Sequence, residues 1–161
     1  MPRRFASTLL TATLLTTALL FTASLATASE ADADEQAIVQ AVRNYADSAY
    51  LVKPELIDES VHPKLQKIGY VMRGETTSYR ELWMNFYELK DLVSTWNTNG
   101  RFDPATAKRE IRVLDQLDQT AVARLDAEWG IDYFHLAKLD GTWTIMNVIW
   151  QSYPPGTDSE E

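Results

Sequence analysis

The stretch that decides the fold lies near the C-terminus, where residues 132–150 read DYFHLAKLDGTWTIMNVIW. Two segments rich in aromatic and β-branched residues flank the dipeptide Asp140-Gly141. An Asp-Gly pair between such segments is a strong signal for a two-residue hairpin, because a type I′ turn needs positive φ at both central residues. The stretch therefore predicts a β-hairpin, and its alternation decides which side chains share a face.

The segments before this hairpin extend it into a meander. Residues 96–106 contain Asn, Gly, Asp and Pro, which indicates a loop. Short turns then separate four strand-like segments, predicted at 108–116, 120–128, 131–139 and 142–151.

The first half of the domain has helical periodicity. Residues 32–51 place apolar side chains three and four apart, so we predict an amphipathic helix there. A short second helix is expected from Pro54 to Val61, and Leu65 to Glu75 reads as a short irregular strand pair. Ser78 and Glu81 have the spacing of a capping box, which predicts a third helix from Ser78. Helices followed by a strand meander indicate an α+β fold, with helices packed on one face of a curved antiparallel sheet.

Residues 1–28 have the features of a secretory signal peptide. Arg3 and Arg4 make a basic start, an uncharged run of Leu, Ala and Thr follows, and residues 26–28 read ATA, a small-x-small cleavage site. A membrane anchor is the alternative, but Thr and Ser dilute the apolar run. We therefore expect a periplasmic or secreted protein with no membrane association after cleavage. The domain is predicted at 32–152, and a disordered acidic tail at 153–161.

The net charge argues against nucleic-acid partners, and the residue types argue against a metal or another cofactor. The chain has 15 Lys and Arg against 23 Asp and Glu, a net charge of −8, and the predicted signal segment holds two of the basic residues. Such an acidic chain repels phosphate backbones, so no nucleic-acid partner is expected. With two histidines on different elements and no cysteine, no metal pattern exists, and we expect no cofactor.

Residues 120–128 decide which face of the sheet is buried. Their even-spaced apolar set, Ala121 to Ala127, alternates with Arg124, Asp126 and Glu128. Two-residue turns at Trp129-Gly130 and Asp140-Gly141 would place Phe134 opposite Leu125, and Leu136 opposite Ala123 and Ile145, on the buried face. Asp132 and Asn147 would lie on the same face, and a three-residue loop after Gln116 would bring Arg109 onto it. The predicted opposite face comprises Arg124, Tyr133, His135, Met146, Val148 and Trp150. That face is apolar enough to predict a homodimer packed sheet against sheet.

The motif Asp-Tyr-x-x-Leu-x-Lys-x-Asp-Gly-x-Trp-x-Ile-x-Asn, which begins at Asp132, follows a long amphipathic helix and the pair His62-Pro63. This combination resembles the nuclear transport factor 2-like superfamily over roughly residues 33–152. Within it, the chain is most similar to the putative lumazine-binding family, and more distantly to SnoaL-like cyclases and ketosteroid isomerases. The resemblance implies a cone-shaped α+β fold with a small-molecule pocket, often in a dimer.

Asp132 is the best candidate for a catalytic group. Desolvation of an inward carboxylate favours its protonated form, which is the property of a general acid or base at neutral pH. The alternative is a structural carboxylate that pairs with Arg109 or caps a turn. Candidate ligand-binding residues are Tyr45, His62, Trp83, Tyr87, Arg109, Phe134 and Asn147.

Three functions fit these features. The first is an exported domain that binds a small apolar or aromatic molecule through few polar contacts. The second is an isomerase, cyclase or dehydratase without a cofactor, in which Asp132 is the base and Asn147 or Tyr45 donates to an oxyanion. The third is a protein-interaction module that uses the outer sheet face.

Overall fold

The structure, a computed structural model, describes residues 12–72, 74 and 77–156, with side chains from residue 30 onward. The chain divides into two compact units, residues 1–34 and 35–161. Of the first unit, only helical backbone from Ala12 and the side chains of residues 30–34 are described. Residues 1–11 of the predicted signal segment and residues 157–161 of the predicted tail lie outside the described residues, and both assignments stay predictions.

The described residues form helices followed by strands. The helices are α1 (Ala12–Tyr50), α2 (Glu55–Ser60) and α3 (Phe86–Val93). The strands are β1 (Val61–Val71), β2 (Arg80–Met84), β3 (Arg109–Gln116), β4 (Thr120–Ala127), β5 (Gly130–Leu139) and β6 (Thr142–Gln151). The four C-terminal strands match the predicted meander closely, and the α+β class is confirmed.

The strands that the structure describes make one six-stranded sheet in the order β2-β1-β6-β5-β4-β3. All neighbouring pairs are antiparallel except β1 and β6, which run parallel. The sheet is therefore mixed rather than wholly antiparallel as predicted. The parallel pair brings the N-terminal half of the domain against the predicted hairpin.

Two N-terminal predictions are wrong. Residues 61–71 form one long strand instead of an irregular pair, because buried side chains alternate along it at Leu65, Lys67, Gly69 and Val71. The third helix begins at Phe86, not at Ser78, because Asn85 is the true N-cap. The Asn85 side chain accepts from the backbone N–H groups of Tyr87 and Glu88, and Glu88 closes the capping box.

The hairpin register holds close to the turn and changes farther from it. Asp140 and Gly141 have positive φ, and Leu136 lies opposite Ile145, both as predicted. Met146 is an extra residue in β6, a β-bulge, so that His135 pairs with Asn147 instead. Beyond the bulge the alternation is reversed: Val148 is buried, whereas Ile149 is exposed. The β4–β5 register is also two residues from the predicted one, with Ala123 opposite Phe134 and Leu125 opposite Asp132.

The core lies between α1, α3 and one face of the sheet. The stripe of α1 that begins at Ile38 and includes Val42 and Tyr45 is buried, as the periodicity predicts. The Tyr45 ring meets Phe134 of β5 edge to face, with centroids 5.0 Å apart. The small alanines of β4 face this layer and are buried, so the sheet lies close beneath the helix.

Candidate functional site

A cavity of about 380 Å³ opens within the unit formed by residues 35–161. α1 contributes Tyr45 and Ala49 to its wall, and β1 contributes Lys67. The C-terminal end of β1 adds Val71, and Met72 directly after it also lines the cavity. The remaining wall comes from β2, α3, the loop after α3, the β4–β5 turn and the chain around the end of β6. Its residues are Leu82, Met84, Leu89, Leu92, Val93, Trp96, Arg101, Phe102, Glu128, Trp129, Trp150, Ser152 and Tyr153. A concave, mostly apolar space of this size suits a small molecule.

Four aromatic rings cluster along one side of this cavity. Trp96 and Phe102 are stacked, with centroids 5.2 Å apart and planes 9° from parallel. Trp129 meets Trp96 edge to face at 5.1 Å. Tyr50 packs against this group from α1, and its hydroxyl donates to the backbone oxygen of Lys108. The loop after α3 is therefore held in place by ring packing, and it offers flat apolar surfaces to the cavity.

A buried polar cluster lies where α1, β1 and β5 meet. Lys67 Nζ lies 3.0 Å from Asp132 Oδ1 and also donates to Tyr45 Oη. Tyr45 Oη donates to the same carboxylate oxygen at 3.2 Å, and Trp129 Nε1 donates to Asp132 Oδ2 at 2.5 Å. Asp132 is fully buried, and three donors hold its two oxygens. Such an arrangement compensates a buried carboxylate.

Burial shifts the pKa values of Lys67 and Tyr45. Burial lowers the pKa of Lys67, and the neighbouring Asp132 carboxylate opposes that effect. Burial also raises the pKa of Tyr45 well above its usual value, and the charge and hydrogen bond of Asp132 raise it further. Tyr45 therefore stays a protonated donor at neutral pH.

Gly69 makes room for the ring that covers the lysine. Lys67 Nζ lies 5.0 Å from the centroid of the Trp150 ring, in cation–π range. A Cβ at Gly69 would lie 2.1 Å from Trp150 Nε1. Only glycine at this position lets the indole of β6 lie across β1.

Three predicted site residues meet in this region. Tyr45 lines the cavity, Asp132 lies behind it, and Phe134 packs on Tyr45. The predicted ion pair between Asp132 and Arg109 does not form. Arg109 Nη1 instead binds Asp47 Oδ1 at 2.5 Å, because it lies at the start of β3, below α1.

The other predicted ligand contacts lie elsewhere. Trp83 is 63% exposed on β2 and Tyr87 is 70% exposed on α3, since the predicted helix face from Ser78 does not exist. His62 Nδ1 accepts from the backbone N–H of Lys64, a turn role. Asn147 was predicted to face inward, which is wrong: the bulge at Met146 turns it outward, where it donates to the Gln66 backbone oxygen.

The sequence analysis does not predict most of the cavity wall, which includes Lys67, Trp150 and the rings of Trp96, Phe102 and Trp129. Lys67 was hidden because residues 65–75 were read as irregular, although the alternation of Leu65, Lys67 and Val71 could have placed it inward. Trp150 was assigned to the outer face because no local signal in the sequence marks the bulge. Among the described residues, no group of His, Asp or Glu has the arrangement of a metal site.

The architecture, helices on one face of a six-stranded sheet with a cavity between them, is a nuclear transport factor 2-like fold. A family model described as "Putative lumazine-binding" matches residues 33–151, and the chain belongs to that family. No curated protein sequence matches the chain.

Solved structures share the fold. An NTF2-like protein of unknown function from Shewanella baltica OS155 is 21% identical, with a TM-score of 0.61 over 75% of this chain and 94% of that one. One from Methylobacillus flagellatus KT is 24% identical, with a TM-score of 0.56 over 74% and 92%. A ketosteroid isomerase-like protein from Erwinia carotovora atroseptica SCRI1043 is 14% identical, with a TM-score of 0.54 over 76% and 98%. At these identities the likeness concerns the fold alone.

Proposed function

We propose that this domain binds a small, flat aromatic molecule in the cavity beside Lys67. The observation that supports this most is the composition of the wall, in which the rings of Trp96, Phe102, Trp129 and Trp150 lie together with the ammonium group of Lys67. Apolar walls with few polar groups are typical of ligand sites. The family name suggests a lumazine-like heterocycle as one ligand to test.

The contacts of Asp132 favour binding over proton transfer. A general base needs a free lone pair within reach of the substrate. Asp132 accepts from Lys67, Tyr45 and Trp129, and it does not belong to the cavity wall. Its geometry supports a structural anion that positions Lys67 and Tyr45.

Thermal shift and calorimetry with planar aromatic and heterocyclic compounds, lumazine included, test the binding function. Ligand at a hundredfold excess over its Kd would stabilise the fold by about 2.7 kcal/mol. Ala49→Phe should fill the cavity and abolish binding. Trp83→Ala, which removes an exposed ring outside the cavity, should leave binding intact. If no compound binds, or if Ala49→Phe binds equally well, the proposal is wrong.

We also propose that the protein is exported, with residues 1–28 removed. The basic start, the apolar run and the ATA site support this. Among the residues that the structure describes, no helix combines the length and the apolar character needed to cross a membrane. N-terminal sequencing of the protein recovered from a bacterial periplasm should begin at Ser29. Recovery of the intact N-terminus in the cytoplasm would contradict export.

We further propose a homodimer through the outer sheet face, with a different set of residues from the predicted one. Val148 and Trp150 face inward and leave that surface. In their place, cross-strand pairing aligns Trp83, Ile68, Ile149 and Tyr133 in one row across four strands. Trp83 is 63%, Tyr133 43% and Ile149 41% exposed. An apolar row of this kind supports an interface between two copies.

A further inference from the structure

We infer that the ligand is a neutral, flat aromatic carbonyl compound whose oxygen accepts a hydrogen bond from Lys67. This inference rests on the proposed binding function, because it specifies the chemistry of what the cavity binds. It follows from a count of hydrogen bonds, a count of charges and the shape of the aromatic wall.

The hydrogen bonds of Lys67 leave one of its N–H groups for a ligand. A lysine ammonium has three N–H groups, and within the described part of the chain two of them meet Asp132 and Tyr45. Tyr45 donates its single hydrogen to Asp132, so it has none for a ligand. Lys67 lines the cavity, so its third N–H is a polar group that a ligand can use. The matching group on the ligand is an acceptor.

The charge count favours a neutral acceptor over an anion. The cavity wall contains the positive side chains of Lys67 and Arg101 and the negative side chain of Glu128. Asp132, behind the wall, is the second negative charge, so that two positive and two negative charges balance. A carboxylate ligand would add an uncompensated negative charge next to buried Asp132, and it would lose its own hydration in an apolar site. A ketone, amide or imide oxygen takes the hydrogen bond without adding charge.

The shape of the wall favours a flat ring system. The parallel planes of Trp96 and Phe102 present a flat surface, and the Trp150 ring covers Lys67. Aromatic rings pack against such surfaces by offset stacking or edge contacts. A ring that packs there would extend from the aromatic wall toward the ammonium group, where its carbonyl would end.

Three probes of nearly equal shape separate these contributions: 2-acetylnaphthalene, the hydrocarbon 2-isopropenylnaphthalene, and the anion 2-naphthoate. Calorimetric titration of the full-length mature protein at neutral pH compares their Kd values. The ketone is expected to bind at least about tenfold more tightly than the hydrocarbon, since hydrogen bonds from charged donors are the strong ones. The ketone should also bind at least about tenfold more tightly than the naphthoate.

The variant Lys67→Met/Asp132→Asn tests the role of Lys67 itself. It removes both buried charges together, so that no lone charge remains, and the asparagine can still accept from Trp129. The ketone should lose its advantage over the hydrocarbon, so that the two Kd values converge. In the unsubstituted protein, the infrared carbonyl stretch of bound 2-acetylnaphthalene should move to lower frequency. If the variant does not fold, the shift of the carbonyl stretch and the comparison of the three probes in the unsubstituted protein still test the inference.

The outcomes distinguish this inference from the proposed function. Equal binding of ketone and hydrocarbon, tightest binding of naphthoate, or an unshifted carbonyl stretch overturns the inference and leaves aromatic binding standing. If none of the probes and none of the wider compound set binds, the binding function fails and the inference fails with it.

Discussion

Lys67→Met should unmask the cost of burying the Asp132 carboxylate. The Lys67 side chain is 5% exposed and that of Asp132 0%, and their atoms lie 3.0 Å apart. Removal of one member of a buried ion pair typically costs 3–5 kcal/mol. Tyr45 and Trp129 would still donate to the carboxylate, so we expect about 3 kcal/mol, the lower end of this range.

Urea denaturation followed by tryptophan fluorescence measures this loss. The matched control is Lys67→Met/Asp132→Asn, which has no buried charge and should recover at least half of the lost stability. Asp132→Asn alone completes the double-mutant cycle. If the stability losses of Lys67→Met and Asp132→Asn sum to that of the double variant within about 0.5 kcal/mol, the two residues are not coupled and the reasoning is refuted.

Three further predictions concern other parts of the molecule. Gly69→Ala should displace the Trp150 indole, destabilise the fold by about 1–3 kcal/mol and weaken ligand binding; unchanged tryptophan fluorescence and affinity would contradict this. Because the pKa of Tyr45 is raised, its contribution to stability is present below pH 10 and is lost as the pH rises above 10. The free energy of unfolding, measured from about pH 8 to 11, should therefore fall less steeply in Tyr45→Phe than in the unsubstituted protein, by up to about 1.4 kcal/mol per pH unit. Parallel curves of unfolding free energy against pH for the two proteins would count against this. Ile149→Glu should convert the dimer to a monomer in light scattering, whereas Leu117→Glu, exposed in a turn, should not; a monomer before any substitution would exclude the dimer.

The parts of the fold that local chemistry dictates could be predicted. Asp140-Gly141 determines the hairpin turn because both residues adopt positive φ. The contrast between apolar and charged positions along β4 correctly assigns its buried face. The apolar stripe of α1 likewise places Tyr45 inside. From these elements the sequence identifies Asp132 as inward and buried.

The missed parts depend on contacts between distant segments. Residues 61–71 pair in parallel with β6, and the local sequence pattern does not identify that partner. One alternative from the sequence pairs Asp132 with Arg109, yet Lys67 reaches Asp132 from β1. The helix start at Asn85 was masked by a second, equally good capping sequence at Ser78. Tertiary packing decided between these local alternatives.

Because Met146 is an extra residue, β6 consists of two segments that alternate independently. The segment next to the turn seals the core with Trp143 and Ile145, and the segment after Met146 turns Val148 and Trp150 inward. Deletion of Met146 would remove the bulge and would leave Val148 and Trp150 facing inward, because Asn147 already pairs with His135. Loss of the bulge without a deletion would instead pair Met146 with His135 and turn Asn147 and Ile149 inward, while the hairpin turn stays intact. The presence of a bulge, and not only the identity of the side chains, would thus decide which residues related proteins of this fold present to the cavity.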